Sequence, residues 1–175
     1  MPIKIALIDR DGTVGGDGHF TSVADFHPYP GVLTAISLLQ QADVLPIILT
    51  NQTRIATGEM NEADLRQSLR AMGFVDTFVC PHLETANCGC RKPKTGLVEQ
   101  ARAKYGFQND EAVVIGDSYQ ADMRCAQSAG LLGIHVATGR GMSNPLVGNT
   151  QLIEAAHLVT ACSWILKNKQ HGGRH

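Results

Sequence analysis

Two carboxylates, one residue apart, stand at the end of an apolar run near the start of the chain. The run over 5–8 leads directly into Asp9, and Asp11 follows after one arginine. Such a run is typical of a strand buried on both faces of a parallel sheet, where alternate side chains point the same way. Asp9 and Asp11 could therefore converge, and Gly12 lets the backbone turn sharply after them. Two close carboxylates require a compensating cation or a shared proton, whereas an ordinary Asp-Gly turn is the alternative for this stretch alone.

Two later apolar runs also end in polar residues. The run over 44–49 precedes Thr50 and Asn51, and the run over 112–115 leads through a glycine to Asp117. Ligands of open parallel sheets bind at the carboxyl ends of the strands. We therefore predict one site that combines carboxylates, a hydroxyl and an amide. This set suits Mg²⁺, which prefers oxygen ligands, together with the phosphate of a substrate.

A basic run, Arg91-Lys92-Pro93-Lys94, directly precedes a predicted helix. Its cations could complete the charge balance of a phosphate site, although a solvated basic loop is the usual structure of a charge run. The residue types thus indicate phosphate chemistry with Mg²⁺. By themselves they do not separate a phosphatase from a receiver domain that is phosphorylated on aspartate.

Three of the five cysteines cluster just before this basic run. Cys80, His82, Cys88 and Cys90 supply three thiolates and one imidazole, which is a complete tetrahedral ligand set for Zn²⁺. A site closed by four protein ligands is typical of a structural metal rather than a catalytic one. Clustered cysteines in a reduced chain also indicate metal rather than disulfides. We expect zinc to tie down this polar loop and to fix the position of Lys92.

The composition is that of a globular protein. The 175 residues are 43% hydrophobic and 18% charged, with a formal net charge of -1. This balance gives no electrostatic reason to expect nucleic acid or a membrane surface as a partner. No apolar run is long enough for a transmembrane helix, and the N-terminal run is too short for a signal peptide. We therefore expect one domain over residues 1–175, a cytoplasmic location and, by default, a monomer.

Strands and helices must alternate to position these residues. Apolar runs predict five strands, over 5–8, 44–49, 75–79, 112–115 and 133–137. Helical periodicity predicts helices over 31–41, 61–72, 95–105, 119–129 and 149–167. This alternation predicts a three-layer, Rossmann-like α/β fold around a parallel sheet with right-handed crossovers. Residues 14–30 are predicted to form a long glycine-rich loop, and residues 171–175 to fray.

Four short motifs resemble those of the haloacid dehalogenase (HAD) superfamily. In chain order they are Asp9-Arg10-Asp11-Gly12-Thr13, Thr50-Asn51-Gln52, Lys92, and Gly116-Asp117-Ser118 with Asp122. They span most of the chain, and their combination is far more specific than any one of them. The resemblance implies hydrolysis of a phosphate ester through an aspartyl-phosphate.

The resemblance assigns a role to each motif. Asp9 would be the nucleophile, and Asp11 would protonate the leaving oxygen and then activate water. Thr50 and Lys92 would hold the transferring phosphoryl group. Mg²⁺ would be bound by Asp9, Asp117 and the backbone carbonyl of Asp11. A carboxylate attacks a phosphate dianion only if such cations offset the repulsion.

The cysteine pattern narrows the resemblance to a capless, zinc-bearing branch. Zinc loops followed by a basic run occur in the histidinol-phosphate phosphatases and in the D,D-heptose 1,7-bisphosphate phosphatases. The stretches 50–58 and 137–141 are more similar to the heptose enzymes, whereas the compact loop 80–90 is more similar to the histidinol enzymes. The favoured substrate is a sugar bisphosphate such as D-glycero-D-manno-heptose 1,7-bisphosphate, with histidinol phosphate as the alternative. About forty residues between motifs leave no room for a cap domain.

The chain departs from both groups in two places. Arg54 stands where the heptose enzymes usually have a small residue, and four residues rather than three separate Asp117 from Asp122. The resemblance implies that Asp122 supports the site from the following helix; an exposed helix carboxylate is the alternative. The candidates for reading the substrate beyond its reacting phosphate are Asn51, Arg54, Arg91 and the loop 15–20.

Two other classes of function are also open. A non-catalytic module that binds phosphate or a partner is possible on the same fold, but the intact pair of Asp9 and Asp11 argues against it. An open, capless site also admits a nucleic-acid 3′-end phosphatase, against which the near-neutral charge argues.

Overall fold

A parallel sheet forms the centre of the computed structural model, which describes residues 2–148 and 151–170. Within these residues the sheet has six strands, β1 (Ile5–Ile8), β2 (Leu45–Asn51), β3 (Asp76–Cys80), β4 (Ala112–Gly116), β5 (Leu132–Val136) and β6 (Leu152–Ala155). Their order across the sheet is β3-β2-β1-β4-β5-β6, and every neighbouring pair is parallel. The predicted parallel α/β architecture is therefore confirmed.

Helices cover both faces of this sheet. They are α1 (Val32–Gln41), α2 (Glu62–Ala71), α3 (Gly96–Tyr105), α4 (Arg124–Ala129) and α5 (Leu158–Gln170). Alternate residues of β1 separate the two cores. Ala6 and Ile8 pack with α1, α2 and α5, whereas Ile5 and Leu7 pack with α3 and α4. The result is the predicted three-layer arrangement, because strands that bury both faces need helices on both sides.

The direction of the strand order changes at β1. β1 pairs with β2 on one side and with β4 on the other, so that Ile8 lies beside both Ile48 and Ile115. The carboxyl ends of these three strands therefore share one edge of the sheet. Within the described residues, the segments that follow β1 and β2 hold turns and short helices and no second sheet. This edge is thus left open, as expected of a fold without a cap.

The closing helix predicted over 149–167 is wrong in its first part. Leu152–Ala155 forms the strand β6, and the helix starts at Leu158. Leu152 and Ile153 are partly buried and apolar, a pattern compatible with both a helix and a strand. A strand forms here because the edge of β5 offers unpaired backbone groups, with which β6 pairs. Residues 149, 150 and the predicted frayed tail 171–175 lie outside the described residues.

None of the described helices is both long and apolar enough to cross a membrane.

Candidate active site

Asp9 lies directly after β1, on the floor of a cavity of about 660 Å³ at the carboxyl edge of the sheet. The Lys92 ammonium donates to Asp9 Oδ1 over 2.9 Å, to Asp122 Oδ1 over 2.7 Å and to the Leu49 carbonyl over 2.7 Å. Burial by itself disfavours the ammonium, but the charges of Asp122 and Asp9 outweigh it and raise the pKa of Lys92. Lys92 is therefore a fixed cation beside the predicted nucleophile.

Asp11 is held in a different environment from Asp9. The buried guanidinium of Arg10 donates to Asp11 Oδ1 over 2.7 Å, and Gln52 Nε2 donates to Asp11 Oδ2 over 2.6 Å. Burial raises the pKa of Asp11 to about 6, although the Arg10 charge opposes this shift. A carboxyl group that titrates near neutral pH is suited to donate and accept a proton in turn.

Sequence reasoning missed the two residues that hold Asp11. Arg10 is fully buried and lies over the Phe26 ring, with 3.9 Å between Cζ and the ring centroid. Gln52 is also buried and donates to Thr50 Oγ1 over 3.0 Å as well as to Asp11. Their positions in the sequence could have indicated this role, because Arg10 lies between Asp9 and Asp11 and Gln52 belongs to the motif that begins with Thr50.

Asp9, Asp117 and Asp122 bring one carboxylate oxygen each to within 4.8 Å of the others. Burial raises the pKa of Asp117 to about 8, and the nearby charges of Asp9 and Asp122 add to the effect. One lysine therefore does not offset the negative charge of this cluster. Oxygen donors with an excess of negative charge are what a divalent cation such as Mg²⁺ requires, so the residues present fit the predicted metal.

Glycines let the backbone approach this cluster closely. Gly12 has φ +87°, and a Cβ on it would lie 2.2 Å from Asp117 Oδ2. The same oxygen accepts a hydrogen bond from the Arg140 backbone N–H over 2.8 Å. Any larger residue at position 12 would displace the Asp117 carboxylate.

A π-helical turn over Tyr119–Met123 brings Asp122 into the site. The Met123 N–H donates to the Ser118 carbonyl over 3.1 Å, which is the i to i−5 spacing of such a turn. Asp122 is 1% exposed, and its Oδ2 accepts from the Ser118 N–H over 3.1 Å. The wide turn thus accommodates the additional residue between Asp117 and Asp122 that the sequence comparison indicates. It keeps Asp122 buried against Lys92, which rules out the alternative of an exposed carboxylate.

The zinc candidates converge next to this site. Cys80 Sγ lies 3.5 Å from His82 Nδ1 and 3.5 Å from Cys88 Sγ, and Cys90 Sγ lies 3.3 Å from His82 Nδ1. One atom of each of the four residues lies within 4.8 Å of the others. Three sulfurs and one nitrogen at these separations fit a tetrahedral zinc ion.

Asn51, which was predicted to bind substrate, forms two hydrogen bonds with the backbone of Lys92. Its Nδ2 donates to the Lys92 carbonyl over 3.1 Å, and its Oδ1 accepts from the Lys92 N–H over 3.0 Å. This double hydrogen bond joins the end of β2 to the segment that follows the cysteine cluster. Although Asn51 lines the cavity, both ends of its amide are already used to place Lys92.

The two predicted substrate-reading arginines differ in their partners. Both line the cavity. Arg91 Nη1 is buried and has no hydrogen-bond partner among the described residues. Arg54 is instead paired with Glu59 over 2.8 Å, and its guanidinium lies 4.9 Å from the centroid of the Phe20 ring. Arg91 therefore has donor capacity left for a ligand, whereas Arg54 shares its charge with a neighbour. The loop 15–20 reaches the cavity through residues 18–20.

Comparisons with known proteins show which proteins this chain is similar to. Residues 89–160 match the HAD-hydrolase-like family model. A D-glycero-beta-D-manno-heptose-1,7-bisphosphate 7-phosphatase of Bordetella bronchiseptica is 34% identical over 150 residues, which cover 79% of this chain and 83% of that protein. A D-glycero-alpha-D-manno-heptose-1,7-bisphosphate 7-phosphatase of Photorhabdus laumondii is 30% identical over 161 residues, which cover 82% of this chain and 87% of that protein.

A solved structure is similar over nearly the whole chain. The D,D-heptose 1,7-bisphosphate phosphatase from B. bronchiseptica, crystallised with magnesium and phosphate, superposes with a TM-score of 0.80 at 28% identity. The match covers 95% of this chain and 99% of that one. The chain therefore belongs to the HAD-like hydrolases, among their phosphatases.

Proposed function

We propose that the chain is a Mg²⁺-dependent phosphomonoesterase that acts through an aspartyl-phosphate on a small sugar bisphosphate. The observation that carries the proposal is the contrast between its two neighbouring carboxylates. Asp9 lies beside the Lys92 cation and the metal-binding carboxylates. Asp11 is held apart by Arg10 and Gln52 and has a pKa of about 6. One carboxylate is thus suited to attack phosphorus and the other to move protons.

The proposed reaction has two steps. In the first, Asp9 attacks phosphorus, the bond from phosphorus to the leaving oxygen breaks, and Asp11 gives its proton to that oxygen. In the second, Asp11 takes a proton from water, whose oxygen attacks the phosphoryl group and frees Asp9. Thr50 and Lys92 hold the phosphoryl oxygens throughout, as the family resemblance implies.

We propose Asp9, Asp117 and the Asp11 backbone carbonyl as the magnesium ligands. When bound, the metal supplies positive charge that offsets the repulsion between carboxylate and phosphate. Asp122 is assigned to Lys92 instead, because it is 2.7 Å from the ammonium and accepts from a backbone N–H with its other oxygen. Zinc at the four Cys and His ligands is proposed to be structural, because the set leaves no open position.

A heptose 1,7-bisphosphate is the substrate we propose. Relatives that share 30% identity or more carry this substrate in their names, in both the alpha and the beta form. The position of Arg91 on the cavity wall supports a second phosphate there, because a guanidinium is well suited to bind phosphate oxygens and Arg91 Nη1 has no partner among the described residues. We further propose that residues 1–175 act as one capless domain, as a monomer in the cytoplasm.

The test is phosphate release, in the presence of Mg²⁺, from the alpha and beta heptose 1,7-bisphosphates and from histidinol phosphate. Asp9→Asn is the control, since it keeps the shape of the side chain and removes the nucleophile. We expect one heptose bisphosphate to have the highest kcat/KM and the control to be inactive. Full activity of correctly folded Asp9→Asn would refute the nucleophile. Preference for histidinol phosphate would refute the sugar bisphosphate, and faster release from a 3′-phosphorylated oligonucleotide would refute a small substrate.

A further inference from the structure

Three side chains from three elements form a cluster directly behind the metal carboxylates, and the reaction above does not use them. Tyr119 comes from the π-helical turn, His135 from β5 and Glu154 from β6. The rings of Tyr119 and His135 are stacked, with 3.7 Å between centroids and 12° between planes. The Tyr119 hydroxyl donates to Glu154 Oε1 over 2.7 Å. His135 is fully buried, whereas the Glu154 side chain is 48% exposed.

Both ring nitrogens of His135 contact groups that accept hydrogen bonds. Nε2 lies 3.0 Å from the backbone carbonyl of Asp117, and Nδ1 lies 2.7 Å from Glu154 Oε2. A carbonyl oxygen only accepts, so a hydrogen bond between these two atoms requires the tautomer in which Nε2 carries a proton and donates. The Glu154 carboxylate and the stacked Tyr119 ring hold the imidazole in the orientation that makes this bond. The three residues thus form one continuous support that ends on the main chain of Asp117.

We infer that His135 is a positioning residue for the magnesium site. His135 holds Asp117 at its carbonyl, while the Arg140 N–H holds the same residue at Oδ2 over 2.8 Å. Fixed at both ends, the Asp117 side chain keeps its place in the cluster with Asp9 and Asp122. Groups that orient metal ligands in this way change metal affinity when they are lost. The inference rests on the proposed function only in that these carboxylates bind Mg²⁺.

The cluster also joins the π-helical turn to β5 and β6. Tyr119 lies in the same turn as Asp122, which pairs with Lys92. Glu154 therefore ties that turn to β5, because its carboxylate accepts from the Tyr119 hydroxyl with one oxygen and contacts His135 Nδ1 with the other. The sheet edge that β6 supplies is thus connected to the metal site by side chains as well as by backbone pairing. The sixth strand thus supports the metal site through Glu154, although none of the proposed metal ligands lies on this strand.

The test is calorimetric titration of Mg²⁺ into the substrate-free protein. His135→Leu removes the donor to Asp117, whereas His135→Gln places an amide N–H near the position of Nε2. We expect the Kd for Mg²⁺ to rise about 10- to 100-fold in His135→Leu, and His135→Gln to recover most of this loss. Glu154→Gln removes the carboxylate from a half-exposed position, where folding is at little risk, and is expected to weaken Mg²⁺ binding in the same direction.

Glu99→Gln is the matched control, because Glu99 is an exposed partner of Arg102 on α3, 3.3 Å away. Its Kd for Mg²⁺ should equal that of the wild type. A purely structural role would lower the melting temperature of the variants and leave their Kd for Mg²⁺ unchanged, which would overturn the inference. If the wild type itself binds no Mg²⁺, the proposed metal site fails instead. At saturating Mg²⁺ the KM for the sugar phosphate should stay within about twofold of the wild type in the Glu154 variant.

Discussion

At the residue scale, environment gives chemically identical side chains different tasks. Asp9, Asp11, Asp117 and Asp122 lie at one edge of the sheet, yet Asp9 and Asp122 share Lys92 whereas Asp11 and Asp117 have other partners. Burial raises the pKa of Asp11 to about 6 and that of Asp117 to about 8. The first value suits proton transfer at neutral pH. The second marks a carboxylate whose charge still needs compensation, which a metal ion would provide.

Arg91 allows a test of substrate recognition that leaves the reacting groups in place. Because Arg91 Nη1 is buried without a partner, we expect Arg91→Ala to raise the KM for a sugar bisphosphate roughly tenfold or more. The kcat/KM for a generic aryl phosphate should change little, since that substrate has no second phosphate. Arg54→Ala is the comparison, because Glu59 already neutralises Arg54. Equal losses for both substrates would contradict a role of Arg91 in reading the second phosphate.

At the scale of elements, the segment between β3 and α3 brings Lys92 to residues that are distant in the chain. Cys80 ends β3 and the other three zinc candidates lie in the loop between β3 and α3, while Asn51 holds the Lys92 backbone from the end of β2. The segment that carries Lys92 is therefore fixed from both sides. A zinc ion would contribute to this rigidity, because four ligands on a short polar loop cannot form a core of their own.

We predict that Cys88→Ser loses the zinc ion. Zinc content should fall from about one per chain to well below that level, and the melting temperature should fall by about 4 °C or more. Phosphatase activity should fall as well, because Lys92 follows closely in the chain. Elemental analysis and thermal denaturation measure the first two effects. Cys125→Ser is the control, because that buried thiol lies apart from the four ligands and should keep zinc bound.

A second link joins the start of β3 to the end of α3. Asp76 accepts from Lys104 over 2.6 Å and from the Tyr105 hydroxyl over 2.8 Å. Burial disfavours the carboxylate, but the hydrogen bonds from Lys104 and Tyr105 outweigh it and lower the pKa of Asp76 below its ordinary value of 3.8. The folded state thus binds this proton more weakly than the unfolded state, which stabilises the fold above about pH 4.

We predict that Asp76→Asn lowers the free energy of unfolding by about 1 kcal/mol at pH 7. The difference from the wild type should persist down to about pH 4 and vanish as the pH falls through the lower pKa of folded Asp76. Urea unfolding at a series of pH values measures it. The exposed Asp110→Asn serves as control, and its free energy of unfolding at pH 7 should equal that of the wild type. A difference that grows as the pH falls would have the wrong sign and would refute the assignment.

At the scale of the whole molecule, the two cores share one sheet. Residues of β1 contribute to both, since Ala6 and Ile8 face one core and Ile5 and Leu7 face the other. If either core is lost, one face of the same strands becomes exposed to water, and the other core loses its support. Cooperative unfolding of the whole sheet is the expected consequence, in agreement with the proposal of one domain over residues 1–175.

We therefore predict a single unfolding transition. Trp164 is the one tryptophan of the chain; it lies on α5 and packs against the core that includes residues of α1, so its fluorescence reports on that face. Far-ultraviolet circular dichroism reports on all helices together. The two melting curves of the zinc-loaded protein should coincide. Separate midpoints would show that the two faces unfold independently.

Local sequence patterns indicate the kind of chemistry and the order of the strands and helices up to β5, but not β6. Buried strands leave continuous apolar runs, and the polar residues that end them are recognisable because they interrupt an otherwise apolar pattern. For this reason Asp9, Asp11, Thr50 and Asp117 could be named in advance, and the predicted alternation of strands and helices was confirmed by the sheet. The cysteine spacing was equally readable, because metal ligands leave few alternatives.

Which groups become neighbours across the sheet depends on the tertiary fold, and local sequence patterns do not contain this information. The sixth strand depends on the free edge of β5, which no local pattern contains. The π-helical turn depends on Asp122 reaching Lys92, which lies on a different element. The contacts of Gln52 with Asp11 and of His135 with Asp117 join residues that are 41 and 18 positions apart in the chain. Side-chain hydrogen bonds of this kind are set by packing, and packing is not encoded in the period of any single element.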